Sequence, residues 1–292
     1  MADANRRTVL VTGANSGLGK ALAIAFAGDG MRVGMLVRNQ ERGRTARDEI
    51  VAASGNKDIR LFVADLGSQQ EVRRAAAEIL DRFERIHVLI NNAGTAYANR
   101  RTSPEGIERS LAVNHLGPFL LTSLLLERIK DSAPARIVNV GTRMDTAMDF
   151  DDLDWTRRRY RMMQAYGQSK LGNLHFTFEL SRRLAGTGVT VNCVFPGIFR
   201  SNLGGSDGAQ GVFWKAVDRL LGWALPTPAR AAERVLYAAR STDLDGVTGQ
   251  YLDGRRPIKA PSQAADPAAN QRLWDMSERL VGLSQASEQS HP

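Results

Sequence analysis

Cysteine is nearly absent from this sequence: Cys193 is the only one in 292 residues. A disulfide framework within the chain is therefore excluded, and a chain of this length can bury a sizeable core without staples or structural metal. Cys193 falls in the apolar run 189–195, where a buried, inert thiol is the ordinary outcome. Histidine is also scarce, four in all. His87, His115 and His175 show no metal-ligand spacing, so no metal site is expected. No stretch approaches the ~20 continuous apolar residues that span a bilayer. The short polar start, residues 1–7, leads straight into a strand pattern and not into the apolar core of a signal peptide. A cytoplasmic protein fits these absences. No nucleophile elbow of the G-x-S-x-G type and no Walker motif occurs, so no covalent intermediate is expected.

Charge is present in ordinary amount but is biased: 39 Lys and Arg against 31 Asp and Glu give +8. Such a balance raises nucleic acid or an acidic membrane as partners. The basic residues are spread along the chain, however, and the one tight cluster is Arg157, Arg158, Arg159 and Arg161 around Tyr160. That cluster reads as a solvated face, with a phosphate-binding patch as the alternative. No nucleic-acid partner and no integral membrane segment are expected.

Short β-branched runs alternate with longer amphipathic stretches, the pattern of βαβ units and a parallel sheet. Strands are predicted at 8–12, 32–37, 59–63, 88–91, 136–140 and 189–195, with a weaker seventh at 250–252. Helices are predicted at 17–27, 41–54, 69–84, 104–128, 165–184, 228–240 and 267–283. Ser68 with Glu71 suggests a capping box. Thr227 and Asp266 cap helices that place proline at the first position. The expected fold class is α/β: a single Rossmann-type doubly wound parallel sheet of about seven strands with helices on both faces. One domain over 1–283 is expected, irregular at 145–161, with a substrate lid near 202–227 and a disordered polar tail at 284–292.

The first strand enters the loop Gly13-Ala14-Asn15-Ser16-Gly17-Leu18-Gly19 and then a helix pattern. Free backbone N–H groups and the positive end of a helix dipole there suit a phosphate, and glycines let a pyrophosphate approach the backbone. A tight turn without a ligand is the alternative. After the second strand, Val37 stands where an acidic residue would hold the ribose 2′-OH of NAD. Arg38 instead offers a fork of donors suited to a 2′-phosphate, with Lys20 as a second charge, unless Arg38 is an ordinary surface arginine. NADP(H) is the expected cofactor.

Tyr166 and Lys170 lie four residues apart at the start of a predicted helix, hence on one face. A cation beside the phenol lowers its pKa toward working pH, and such a tyrosine can protonate a forming alkoxide or accept an alcohol proton.

In this order along the chain, residues 12–19 (TGANSGLG), 91–94 (NNAG), Asn114, 166–170 (YGQSK) and Pro196-Gly197 make it resemble the short-chain dehydrogenase/reductase family. The resemblance spans residues 8–252. The segments DFDDL (149–153) and KLGN (170–173), with residues 186–192 and a long gap between Thr142 and Tyr166, resemble the retinol-dehydrogenase-like or protochlorophyllide-reductase-like branch. The resemblance implies that Asn91, Ala93 and Gly94 support the adenosine side of the cofactor and that Asp65 and Leu66 contact its adenine. It implies that Pro196, Gly197, Ile198 and Ser201 hold the nicotinamide carboxamide. It makes Tyr166 the general acid/base, Lys170 a ligand of the nicotinamide ribose, and Asn114 the anchor of a water in a relay with Lys170.

The sequence departs from the family where a catalytic serine is usual, reading Val138-Asn139-Val140-Gly141-Thr142. Thr142, registered on the second serine of the pattern, takes the role of polarising the substrate carbonyl, since its hydroxyl can donate. Its β-branch restricts χ1 and narrows the substrates accepted. Phe199, Phe213, Trp214 and Trp223 are expected to line an apolar pocket, with Phe150, Trp155, Met162 and Met163 on the other side. An NADP(H)-dependent reductase or dehydrogenase of a lipophilic, aromatic or polycyclic ketone or secondary alcohol follows. The rival from another class is a non-catalytic NADP-binding scaffold or redox sensor, with Gly141-Thr142 as its mark of decay. The resemblance also implies a homodimer or homotetramer.

Overall fold

The computed structural model describes residues 6–144, 146–199 and 225–283. The expected tail at 284–292 lies outside them. Seven strands run parallel: β1 (Thr8–Thr12), β2 (Arg32–Val37), β3 (Ile59–Val63), β4 (Val88–Asn91), β5 (Ala135–Val140), β6 (Val189–Phe195) and β7 (Gln250–Asp253). An eighth, β8 (Arg256–Pro257), returns antiparallel along β7, so the sheet has the order β3-β2-β1-β4-β5-β6-β7-β8. With two residues, β8 is too short to leave a period in the sequence. The order reverses between β1 and β4, and a crevice at the carboxyl ends of those strands is where an open α/β sheet holds its ligand.

The helices are α1 (Gly17–Gly28), α2 (Gln40–Ser54), α3 (Gln69–Arg82), α4 (Arg109–Leu111), α5 (Gly117–Lys130), α6 (Met162–Arg183), α7 (Pro228–Arg240), α8 (Ser262–Ala265) and α9 (Pro267–Leu280). They cover both faces, because successive strand residues point to opposite sides. In β1, Leu10 joins a core with Phe62, Leu89, Phe119, Leu180 and Trp274, while Val9 and Val11 join Leu22, Phe26, Met35 and Val235 on the other face. All five residues of β1 are buried, as a strand sandwiched between helices requires.

The termini of these helices follow local chemistry. Thr227 accepts from Arg230 N at 3.4 Å and Asp266 from Ala268 N at 2.9 Å, each with proline inside the first turn. Only half of the expected capping box forms: Ser68 accepts from Glu71 N, but the Glu71 carboxylate accepts from Asp65 N. The helix predicted over 104–128 begins late, at Arg109. Residues 103–106 make a turn closed by Gly106 N donating to Ser103 O, and buried Glu108 caps the helix through Ser110 N and Leu111 N. A π turn, Ala112–Leu116, then joins α4 to α5.

The irregular stretch after β5 is organised around Asp152. This buried carboxylate accepts from the backbone N–H groups of Thr156, Arg157 and Arg158. Arg158 stacks over Trp155 at 3.7 Å, pairs with Asp149 at 3.3 Å and Asp152 at 3.4 Å, and donates to Gln168 Oε1 on α6 at 2.6 Å. Arg158 is thus a structural clamp and belongs to neither a solvated face nor a phosphate patch. Arg157, Arg159 and Arg161 remain exposed.

Two buried histidines fasten α9 to the sheet-covering helices. His115 Nε2 donates to Ser277 Oγ at 2.9 Å, since that hydroxyl itself donates to Leu273 O. His175 Nδ1 donates to Asn270 Oδ1 at 2.6 Å. The second ring nitrogen of each has no hydrogen-bond partner among the described residues. Burial pushes His115 down to about 3, helped by the nearby His175, and His175 down to about 4; the amides of Asn173 and Asn270 offset part of this. Both rings are therefore neutral when folded at pH 5, whereas the unfolded chain takes up protons below about 6.5. Stability is full above about pH 6.5 and falls as pH drops toward 4. A melting temperature several degrees lower at pH 5 than at pH 7.5 is expected, and a His115→Asn, His175→Asn double variant should flatten the difference. Equal acid sensitivity in that variant would contradict the assignment.

Candidate active site

The loop between β1 and α1 is built for close approach. Gly13 has φ +67, and a Cβ there would lie 3.0 Å from Ala93 Cα and 3.2 Å from Asn92 Nδ2. A Cβ at Gly19 would strike the Gly13 carbonyl, whereas Gly17 sits in open space and is required by its φ of +51. The Thr12 hydroxyl accepts from Asn92 N and Ala93 N, both at 3.0 Å, and donates to Ile90 O. The loops after β1 and β4 are thereby one unit. Ser16 begins α1 in an extended conformation, caps nothing with its side chain, and no acidic residue occupies the first turn. The first amides of α1 are open to an anion. Asn15 is half-buried beside them, and Leu18 packs into the core, so only its backbone faces the loop.

Arg38 stands exposed just past β2, whose Leu36 carbonyl accepts from Gly13 N at 2.8 Å. It has no partner among the described residues. Lys20, expected beside it, is instead paired with Glu49 at 2.5 Å, because α1 and α2 lie side by side. The Asp65 carboxylate already accepts from Gly67 N at 2.8 Å and from Arg109. Leu66 packs so tightly on Gly117 that any Cβ there would strike the Leu66 carbonyl.

Asn91 points into the protein. Its Nδ2 donates to Thr122 Oγ1 at 3.1 Å and Asn139 Oδ1 at 2.9 Å, and Asn139 Nδ2 donates to Thr177 Oγ1 at 2.9 Å. The side chain therefore ties β4 to β5, α5 and α6. Past it, Gly94 makes room for Lys170: a Cβ at Gly94 would lie 3.1 Å from Lys170 Nζ. Lys170 Nζ donates to Val140 O at 3.0 Å. Asn114, in the π turn, donates to Thr95 O at 2.8 Å and Ser169 Oγ at 2.9 Å and accepts from Thr95 N at 2.8 Å. Ser169 Oγ in turn donates to Tyr166 O at 2.7 Å. Single π turns concentrate at functional sites, and this one brings Asn114 against the helix of Tyr166.

Tyr166 is 8% exposed and Lys170 3%. The phenol differs from the sequence expectation: burial pushes it up to about 12, and the lysine does not bring it down. The ammonium is directed at the Val140 carbonyl, and burial, partly offset by Cys193, lowers Lys170 to about 8. Tyr166 is thus held as a protonated acid.

Thr142 follows β5 directly. Its hydroxyl makes no hydrogen bond to any described residue, while its carbonyl accepts from Tyr251 Oη at 2.8 Å. The chain beyond runs along the first turns of α6, where a Cβ at Gly167 would contact Thr146 and, at 3.2 Å, Met144 Cε. Thr142 therefore lies between Val140, which binds Lys170, and the contact with the residue after Tyr166. Gly141 has a steric cause: a Cβ there would lie 2.6 Å from Cys193 Sγ. Cross-strand register, which places Cys193 opposite Asn139, is invisible in the chain. The sequence marked Cys193 only as a buried thiol, and gave the hydroxyls of Thr12 and Ser169 no role, although Thr12 lies inside the TGANSGLG segment and Ser169 inside YGQSK.

Pro196 and Gly197 (φ +88) lead from β6 to Ile198, an apolar side chain that is 75% exposed. Phe199 is half-buried against the α1/α7 side of the core. Ser201, Phe213, Trp214 and Trp223, with the expected lid at 202–227, fall outside the described residues except for 225–227. On the opposite side, Phe150 packs against His175 and Trp155 is buried under Arg158, so both are packing residues; Met163 is exposed. Among the described residues no group of three His, Cys, Asp or Glu could hold a metal ion, and no helix is long and apolar enough to cross a membrane.

A family model described as short chain dehydrogenase matches residues 7–210. Human (Homo sapiens) retinol dehydrogenase 13 is 42% identical over 298 residues, covering 98% of this chain and 88% of that protein. The fold of an uncharacterized protein from Mycobacterium paratuberculosis matches with a TM-score of 0.75 at 31% identity, covering 94% of this chain and 93% of that one. Actinorhodin polyketide ketoreductase, solved with NADPH, matches with a TM-score of 0.65 at 26% identity, covering 87% and 97%. An open amide-rich helix start, a buried tyrosine–lysine pair and these likenesses lead to one conclusion: the chain belongs to the short-chain dehydrogenase/reductase family, in its retinol-dehydrogenase-like branch.

Proposed function

We propose that this oxidoreductase is an NADP(H)-dependent carbonyl reductase and alcohol dehydrogenase acting on a lipophilic, aromatic or polycyclic ketone or secondary alcohol. The observation that carries it is the placing of Tyr166, kept protonated by burial, about one turn from Lys170 on α6, with Lys170 bonded to Val140 O and the Thr142 hydroxyl two residues further on without a partner among the described residues. Bound NADPH supplies the hydride that reaches the carbonyl carbon. Tyr166 Oη gives its proton to the carbonyl oxygen, and the Thr142 hydroxyl donates to that same oxygen and draws charge onto it. Lys170 holds the cofactor ribose and, with Asn114, returns a proton toward Tyr166. The α1 amides, Gly13, Gly17 and Gly19 receive the pyrophosphate, Asp65 and Leu66 the adenine edge, and residues 196–198 the carboxamide. Retinol dehydrogenase 13 is named for a lipophilic alcohol and actinorhodin polyketide ketoreductase for reduction of a polyketide ketone, which together support a lipophilic carbonyl or alcohol as substrate. A cytoplasmic location and a homodimer or homotetramer belong to the same proposal.

The non-catalytic scaffold is disfavoured because Gly141 answers to Cys193 and needs no loss of function to explain it. Oxidation of NADPH, followed with 1-tetralone as a ketone of the proposed class, with all-trans-retinal as a lipophilic aldehyde beside it, and with NADH in parallel, tests the proposal. Turnover confined to NADPH is expected, and binding of NADPH without turnover of either compound would favour the scaffold. Arg38 sets the cofactor choice, since a charged hydrogen bond contributes about 1.5–3 kcal/mol. Arg38→Glu should raise the KM for NADPH by about 10- to 100-fold and leave the KM for NADH within about twofold. An unchanged NADPH preference would remove Arg38 from the 2′-phosphate.

A further inference from the structure

The row of residues beneath the site extends one strand further than the reaction requires. Asn91, Asn139, Cys193 and Tyr251 are paired in register across β4, β5, β6 and β7. Side chains paired in this way share one face of the sheet, here the face that carries α6. The first two are consumed in hydrogen bonds to each other and to α5 and α6. Cys193 occupies the space that any side chain on residue 141 would need. Tyr251, 4% exposed, reaches across β6 to the same glycine, its ring 3.8 Å from a Cβ built there, and its phenol donates to the Thr142 carbonyl.

A second brace comes from the same strand end. Asp253 of β7 accepts from Arg143 Nη1 at 3.2 Å and is held in turn by Arg234 of α7. Gly141 N donates to Val194 O at 2.9 Å, so residues 141, 142 and 143 are each fixed by β6 or β7. A glycine before Thr142 would otherwise leave its backbone freer than a serine would. A hydroxyl must sit within a few tenths of an ångström of its place to act on a forming oxyanion.

We infer that Tyr251 is a positioning residue for the reaction: its hydrogen bond to the Thr142 carbonyl aims the Thr142 hydroxyl at the substrate oxygen. This rests on the role of Thr142 proposed above. It assigns to the β7 tyrosine a task distinct from that of Tyr166, at one remove from the reacting atoms.

A double-mutant cycle on the full chain separates the two claims, read as kcat with NADPH and 1-tetralone or all-trans-retinal, whichever turns over. Thr142→Ala should lower kcat by about 100-fold. Tyr251→Phe should lower kcat by about fivefold to twentyfold, with the KM for NADPH unchanged. Tyr251→Phe added to Thr142→Ala should cause no further loss, because the residue being aimed is gone. If Thr142→Ala keeps the parent rate, the role of Thr142 falls and this inference with it. If Thr142→Ala is impaired but Tyr251→Phe is not, or the two losses multiply, the positioning role alone is overturned. Should Tyr251→Phe fail to fold, Tyr251→Met, which also removes the donor, carries the same cycle and should itself lower kcat. Losses that multiply in that cycle would again overturn the inference, and no further loss beside Thr142→Ala would support it.

Discussion

Tyr166→Phe is expected to lower kcat by about 10²- to 10⁴-fold, the usual contribution of a positioned general acid, while NADPH still binds with its parent affinity. The phenol oxygen makes no hydrogen bond to any described residue, so its removal leaves no buried partner stranded. The ring itself is retained and so is the packing at the start of α6. Loss of turnover with intact cofactor binding is the signature of an interaction made only in the transition state. Tight binding measured by NADPH fluorescence, together with a collapsed rate, is the expected pair of readings. A variant retaining a tenth or more of the parent kcat would remove Tyr166 from the chemistry.

Lys170→Met is expected to act on binding and rate together. The methionine fills the same buried channel beneath Gly94, so the fold should persist, but the ammonium and its bond to Val140 O are lost. Loss of the charged hydrogen bond proposed from Lys170 to the cofactor ribose predicts an increase of about 10- to 100-fold in the KM for NADPH, with kcat falling as well. Lys170 also predicts a pH limb. Its folded value near 8 means that the cation needed for binding is present at pH 7 and is lost as pH rises through 8. Tyr166, held near 12, stays protonated across that range and is no obstacle to reduction. For the parent, kcat/KM for reduction should fall above about pH 8, and Lys170→Met should show no such limb. A profile flat to pH 10 in the parent would contradict the assignment.

The layout of the sheet and the sequence pattern agree closely where burial is continuous. Strands with both faces covered leave unbroken apolar runs, and all seven predicted strands coincide with the observed ones to within a residue at each end. Edges were harder to read. A two-residue β8 leaves no period, and Glu108, not Pro104, starts the helix over the fourth crossover because a buried carboxylate outweighs a favourable proline. The tyrosine–lysine pair was legible because its spacing is local to one helix. What surrounds it was not: the Cys193–Gly141 contact and the bond from Tyr251 to Thr142 depend on register across β5, β6 and β7. The direction of the Tyr166 shift also escaped the sequence, since a lysine four residues away matters less than burial and than where its ammonium points.

Isotope transfer tests the central claim most directly. The protein would be mixed with NADPH carrying deuterium at C4, each C4 epimer in turn, and with 1-tetralone or all-trans-retinal, and the alcohol analysed by mass spectrometry. The account predicts deuterium on the carbinol carbon from one epimer only, formed at least about 100-fold more slowly with Tyr166→Phe under the same conditions. Bound NADPH that never delivers its label to a carbonyl carbon, or label delivered equally by Tyr166→Phe, would contradict it.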